Sequence, residues 1–342
     1  MTSDRARDHV AAGLVDGFGR RHTDLRVSLT DRCSLRCDYC MPAEGVPWLP
    51  RQQLLTTEEL LHVVGVAVRC GVTDVRLTGG EPLLRPDVVD VVRRIAELPD
   101  APRVSMTTNG LRLPGLAAPL ADAGLARVNI SLDTLDRATF AQLTRRDRLV
   151  DVLAGIAAAK AAGLAPVKIN SVLVRGVNDH EAPTLLRWAL AEGVRLRFIE
   201  HMPLDAGHQW SRDGLVTAAE ILESLRVGGF RLQPADGRGA SPSEDWIVLG
   251  DLGPIGTVGV IGSVTRPFCD SCNRMRLTAD GQFRNCLFAR TESDLRALLR
   301  AGADDRELAV ALGSAIAGKQ AGHGIGDPGF IQPDRPMSAI GG

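Results

Sequence analysis

Residues 73–82 read TDVRLTGGEP: a short β-branched run, Thr73–Thr78, that stops abruptly at two glycines, Glu81 and a proline. Runs of the same kind recur at Leu25–Thr30, Arg103–Thr108, Arg127–Leu132, Val167–Val174 and Val194–Glu200. Apolar-periodic stretches separate them. Residues 57–70 follow a capping-box pair, Thr56 and Glu59. Residues 86–98 begin at Pro86, a favoured first helical residue. Residues 149–162 end at Gly163, and residues 179–192 end before Gly193. Strand and helix in alternation predict parallel βαβ units, in either an open sheet or a barrel. The strand ends decide between them. They carry Thr78-Gly79-Gly80-Glu81-Pro82, Thr107-Thr108-Asn109-Gly110, Ser131-Leu132-Asp133, Lys168 with Asn170, and Glu200-His201-Met202. Sites assembled from the carboxyl ends of several strands are the habit of barrels. The expected fold is α/β, a partial (β/α)6 TIM-like barrel left open on one side.

Working outward, the rhythm breaks after residue 204. The segment that follows is rich in Gly, Pro and Asp, with short apolar runs at Trp246–Leu249 and Val258–Ile261. The expected organisation is a mobile polar tail over 1–23, the barrel over 24–204, a C-terminal domain over 205–317 and a Gly-rich tail over 318–342 ending Gly341-Gly342. At about 150 residues per domain, 342 residues suit two units of this kind. Forty basic against 41 acidic side chains leave a net charge of −1, which argues against a nucleic-acid coat and makes any anion site local. No stretch reaches the about 18 apolar residues of a membrane span, and the first residues lack the apolar core of a secretory signal. A cytoplasmic protein with no membrane partner is expected.

Seven cysteines are too few and too unevenly placed for a disulfide scaffold. Cys33, Cys37 and Cys40 form one triplet, C-x3-C-x2-C, after the first strand; Cys269, Cys272 and Cys286 form another; Cys70 stands alone, a buried small hydrophobe. Structural zinc sites want four ligands, so the first triplet would need His22 to make a Cys3His site, and the second would need a fourth ligand from elsewhere. A four-iron cluster normally takes four thiolates, and three leave one iron open for chemistry.

The CSLRCDYC loop with Tyr39 before its last cysteine, followed by Gly79-Gly80-Glu81-Pro82 in the next βα unit, resembles the radical S-adenosylmethionine enzymes. The second triplet, with Arg274 and Arg276 between its members, is similar to that of the GTP 3′,8-cyclase family of molybdenum cofactor biosynthesis. This resemblance runs from about Leu25 to Gly342. It implies two [4Fe-4S] clusters on Cys33, Cys37, Cys40 and on Cys269, Cys272, Cys286. It implies S-adenosyl-L-methionine contacts at Tyr39, Gly80, Ser131 and Met202, and GTP contacts at Arg26, Arg76, Thr107, Lys168, Arg274 and Arg276, with Arg197 fitting the same pocket. The implied chemistry is removal of the ribose 3′ hydrogen and closure of that carbon onto C8 of guanine. An electron donor of reductase, flavodoxin or ferredoxin type, a downstream cyclic pyranopterin monophosphate synthase and a homodimer belong to the same expectation. Asp74 departs from the family, many of whose members carry a lysine there; an acid cannot bind phosphate as a lysine would. The competing expectations are a radical enzyme that modifies a peptide with the help of an auxiliary cluster, and a zinc-stabilised binding module.

Overall fold

The computed structural model describes residues 13–341. Six strands, β1 (Asp24–Ser28), β2 (Asp74–Thr78), β3 (Arg103–Thr108), β4 (Arg127–Ser131), β5 (Lys168–Val172) and β6 (Arg195–Ile199), lie side by side in chain order and all parallel. Helices α1 (Thr57–Arg69), α2 (Val88–Ala96), α3 (Leu113–Asp122), α4 (Arg137–Thr144), α5 (Leu149–Ala161) and α6 (Ala182–Glu192) fill the crossovers. In β1 and β2 the side chains alternate between two faces. Leu25, Val27, Val75 and Leu77 are buried in the main apolar core with Leu60, Val63, Val64 and Ala67 of α1. Arg26 and Arg76, between them in sequence, line a cavity on the other face, as a period of two requires. The predicted capping box forms at the start of α1: the Thr56 hydroxyl accepts from the Glu59 amide at 3.2 Å, and the Glu59 carboxylate accepts from the Thr56 amide at 2.8 Å.

The C-terminal region does not form a separate layer. After α7 (Ala218–Val227) come β7 (Arg231–Pro234), β8 (Glu244–Gly250), β9 (Gly253–Ile261), β10 (Arg274–Leu277), β11 (Gln282–Arg284) and β12 (Ser293–Asp294). β9 pairs parallel with β6 and β10 pairs parallel with β1, so the extension adds a strand to each open edge of the six. The result is one twelve-stranded sheet in the order β12-β11-β10-β1-β2-β3-β4-β5-β6-β9-β8-β7. Its eight central strands run parallel, and the outer pairs are antiparallel. The expected barrel units are therefore present, and the boundary at 204 is a change of chain path within one sheet.

The expected mobile tail is corrected. Of the tail over 1–23, residues 1–12 lie outside the described residues. Residues 13–23 fold back on themselves, Val15 bridging Arg21, with Leu14, Asp16 and His22 buried. Towards the C-terminus the chain forms two helices, α8 (Leu295–Arg300) and α9 (Asp305–Ala317), separated because Gly302 takes a positive φ and Asp304 caps a new start. The Gly-rich tail packs back onto the molecule: Lys319 is buried, α10 (Met337–Ile340) forms, and Gly341 reaches the sheet. Gly342 lies outside the described residues.

Candidate active site

One cavity of about 570 Å³ runs along the inner face of the central strands, from their carboxyl ends at Gly80, Asn109 and Asp133 to their amino ends at Asp24, Arg127 and Lys168. All six clustered cysteines line it, together with Tyr39, Gly80, Ser131, Met202, Arg26, Arg76, Thr107, Lys168, Arg274 and Arg276. Sixteen residues drawn from the whole chain thus line one cavity. All seven cysteines are free thiols, and Cys70 is buried away from the cavity in the core.

The first triplet sits on the loop after β1. That loop is held by the Gly79-Gly80 turn, whose amides and neighbours bond to it: the Gly80 amide donates to the Thr30 carbonyl at 2.8 Å and the Glu81 amide to the Arg32 carbonyl at 2.7 Å. A Cβ on Gly79 would lie 2.6 Å from the Thr30 carbonyl oxygen, and one on Gly80 2.6 Å from that of Asp31. The absence of side chains here lets two loops of the protein approach each other closely. Glu81, buried, accepts from the Thr108 hydroxyl at 2.7 Å and the Asn109 amide at 2.7 Å, tying the ends of β2 and β3 together. Asn109 in turn donates to Ser34 at 3.0 Å, inside the cysteine loop.

Burial holds these thiols up. Cys33 is pushed to about 11 by burial and the Glu81 carboxylate, and Cys40 to about 12 by burial and Cys33. Cys37 is raised further by burial, Asp133 and its two companions. Tyr39 donates its hydroxyl to Asp133 at 2.7 Å, and its ring meets His201 edge-on at 6.1 Å. Burial lifts the Asp133 carboxyl to about 6.

The opposite end of the cavity is cationic. By strand register, Arg276 of β10, Arg26 of β1 and Arg76 of β2 stand on one level across three adjacent strands. Strands lie about 4.8 Å apart, and unit charges about 5 Å apart repel by about 3 kcal/mol at an effective dielectric of about 20. Burial and this mutual repulsion bring Arg26 to about 9, and Arg276 well below its ordinary value. Burial, with neighbouring arginines, brings Arg76 to about 10 and Lys168 to about 8. Arg197, held by Asn170 Oδ1 at 2.7 and 3.1 Å, is brought to about 10 by burial. The Nε atoms of Arg26, Arg76, Arg127 and Arg274 are buried without a hydrogen-bond partner. Buried donors are normally satisfied, and clustered guanidiniums of this kind are suited to an anion with several oxygens.

The second triplet borders these cations. Burial would raise Cys272, but Arg274 and Lys319 outweigh it and bring the thiol down to about 7. Arg274 Nη2 and Lys319 Nζ each lie 3.6 Å from its sulfur. The tail enters here: the Arg276 guanidinium donates to the Gly341 carbonyl, and Ser28 Oγ to that of Ile340 at 3.1 Å. A Cβ on Gly341 would lie 2.6 Å from Thr78 Oγ1.

The donor chemistry fits two three-thiol clusters. His22, the histidine a zinc site would recruit, is engaged at both ring nitrogens by Asp16 at 3.0 Å and Lys319 at 3.4 Å. His323, beside the second triplet, bonds to Ser263 and Ile325. Among the described residues, no three His, Cys, Asp or Glu side chains converge as a single ion requires. A four-iron cube asks for less, because its thiolates go to different irons.

Asp74 pairs with Arg103 at 2.6 Å and lies 3.9 Å from Arg127. Arg127, Asp133, Asn109 and His201 line the cavity and were not singled out from the sequence. Arg127 carried a usable signal, a charge within a predicted strand, as at Arg26 and Arg76. Asp133, Asn109 and His201 were visible only as polar residues at strand ends.

Residues 27–189 match the Radical SAM superfamily, and residues 194–325 match Molybdenum Cofactor Synthesis C. The chain is 58% identical over 332 residues to a GTP 3′,8-cyclase of Streptomyces coelicolor, covering 96% of each. It is 56% identical over 332 residues to a GTP 3′,8-cyclase of Mycobacterium marinum, covering 96% of this chain and 92% of that one. Among solved structures, Streptococcus suis SuiB bound to S-adenosylmethionine superposes with a TM-score of 0.61 at 16% identity, over 89% of this chain and 71% of that one, a likeness of fold.

Proposed function

The chain belongs to the radical S-adenosylmethionine superfamily and, within it, to the GTP 3′,8-cyclases, and from that premise we propose that it converts GTP to (8S)-3′,8-cyclo-7,8-dihydroguanosine 5′-triphosphate, the first step of molybdenum cofactor biosynthesis. The observation that carries the reading is a single cavity with a sulfur triplet at each end, one beside carboxylates and one beside arginines whose Nε donors are in part unpartnered.

Cys33, Cys37 and Cys40 would hold one four-iron cluster, and Cys269, Cys272 and Cys286 the other. When bound, the first cluster and S-adenosylmethionine supply hydrogen-atom abstraction, which is chemistry of the cofactor. The protein's part is placement. Asp133, oriented by Tyr39, faces the end where a sulfonium and an ammonium group need a negative neighbour. Gly80, Ser131 and Met202 wall the same end. Arg26, Arg76, Lys168, Arg274 and Arg276 receive the triphosphate, with Thr107 between the two ends. Orienting the ribose by its phosphates supplies the effective concentration that a ring closure demands. The buried walls keep water from the reacting carbon.

Electrons from a reductase, flavodoxin or ferredoxin and delivery of the product to a cyclic pyranopterin monophosphate synthase complete the reading. So do a cytoplasmic setting, where unpaired thiols stay reduced, and a homodimer. No helix among the described residues is long and apolar enough to cross a membrane.

The deciding experiment is anaerobic incubation of the reconstituted protein with S-adenosylmethionine, dithionite and GTP. The expected result is 5′-deoxyadenosine formation that depends on GTP, with a new nucleotide isomeric with GTP by mass spectrometry. Release of 5′-deoxyadenosine at the same rate without GTP, and no new nucleotide, would remove GTP as substrate and favour a peptide substrate.

A further inference from the structure

Behind the second triplet, outside the cavity wall, a buried file of polar side chains runs from the folded segment at 13–23 to the sulfur of Cys272. Asp16 Oδ2 lies 3.0 Å from His22 Nε2, and His22 Nδ1 lies 3.4 Å from Lys319 Nζ. Lys319 Nζ donates to the Arg274 carbonyl at 2.8 Å and to Cys272 Sγ at 3.6 Å. Arg20 closes the assembly from outside, donating to Asp16 Oδ2 and to the Cys269 carbonyl, both at 2.6 Å. His22 is 0% exposed and Lys319 4%. A fully buried lysine is uncommon, because its head loses water and must find compensation. This one finds it in a carbonyl, an imidazole and a thiol sulfur. Substrate has no access to it, so nothing in GTP binding explains its burial.

We propose that Lys319 is a positioning residue for the second triplet: its N–H bond to the Cys272 sulfur, braced from behind by His22 and Asp16, raises the reduction potential of the cluster that these sulfurs hold. The proposal rests on the reading that the second triplet binds a four-iron cluster. A donor on a ligating sulfur draws electron density from it and stabilises the more negative, reduced state; such bonds are among the factors that set cluster potentials. Arg274 donates to the same sulfur, but it lines the cavity and is shared with substrate. Lys319 is sealed away, so its effect is the same with and without GTP.

The test is a potentiometric titration of the full-length, reconstituted protein, followed by electron paramagnetic resonance, with both clusters read separately. In Lys319→Met the oxidised-to-reduced ratio of the second cluster at a given potential should rise at least tenfold, a midpoint lower by about 59 mV for one electron. The first cluster should not move, and Lys319→Arg, which keeps a donor, should recover most of the shift. A Lys319→Met protein that retains about eight irons but has an unmoved second midpoint, or in which both midpoints move together, overturns the proposal. If Lys319→Met loses its second cluster, Lys319→Gln decides, since it keeps a neutral amide donor in place of the charged one. It should lower the second midpoint by about threefold in that ratio, less than loss of the donor would, and an unmoved midpoint overturns the proposal. A wild-type protein that holds only about four irons fails the cluster reading itself, a result distinct from an unmoved midpoint.

Discussion

The two ends of the cavity use the same ligand set and opposite electrostatics. At the first triplet burial raises all three thiols, helped by Glu81 at Cys33, by Asp133 at Cys37 and by Cys33 at Cys40, bringing Cys33 to about 11 and Cys40 to about 12. At the second, burial still raises Cys269, but Arg274 and Lys319 bring Cys272 to about 7 against burial. Three cysteines alone therefore do not define a site. The first end is short of positive charge and suits a cationic ligand; the second has an excess of it and suits a polyanion. The backbone produces this separation. Parallel strands in register align Arg276, Arg26 and Arg76 at one level, while the loops beyond the strand tips bring Asp133 and Glu81 to the cysteine loop.

Removing sulfur from either end should sharpen the contrast most. Cys40→Ser and Cys269→Ser should each leave about four irons per chain instead of about eight, and both should abolish cyclisation. Only Cys40→Ser should also abolish 5′-deoxyadenosine formation, read by chromatography. Full cyclisation by Cys269→Ser would break the division of labour. Next in size is the cationic level. Arg276→Ala deletes a charge-assisted contact worth about 1.5–3 kcal/mol, which is about ten- to a hundredfold in the KM for GTP. Guanosine binding, measured by competition, should barely change; an equal loss on both would place Arg276 on the base or on the fold.

The smallest effect is the pH dependence of the first end. With its carboxyl near 6 rather than 3.8, Asp133 is mostly protonated at pH 5 and mostly ionised at pH 7. Affinity for S-adenosylmethionine should therefore rise through that window, by up to about tenfold for one charge near a sulfonium. Asp133→Asn should flatten the rise, as anaerobic equilibrium dialysis would report. The same rise in the variant would assign the titration elsewhere.

Most of the site was legible because it consists of residue types that are conspicuous in the wrong place. Arginine in a β-branched run, as at Arg26 and Arg76, has few reasons to be there except a polar barrel lumen. Cysteines at short spacing have few reasons except a shared metal centre. Asp74 stood out as an acid and is paired with Arg103. His22 drew notice as a ligand and instead anchors Lys319. Lys319 itself, in a Gly-rich stretch, reads as a solvated charge; nothing local distinguishes it from a surface lysine. Helices α3 and α4 were missed because their apolar spacing is irregular and Pro119 interrupts the first.

Local order along the chain settled the βα rhythm, the cap at Thr56, the two sulfur triplets and the cations on the strands, because each depends on neighbours a few positions away. Only the folded molecule decided that β9 and β10 complete the two edges of the barrel sheet, that the segment at 13–23 and Lys319 meet behind Cys272, and that Gly341 reaches Arg276. Those contacts join residues more than fifty positions apart. Their free energy comes from burial, strand pairing and charge compensation across the whole sheet, which no short window of sequence contains.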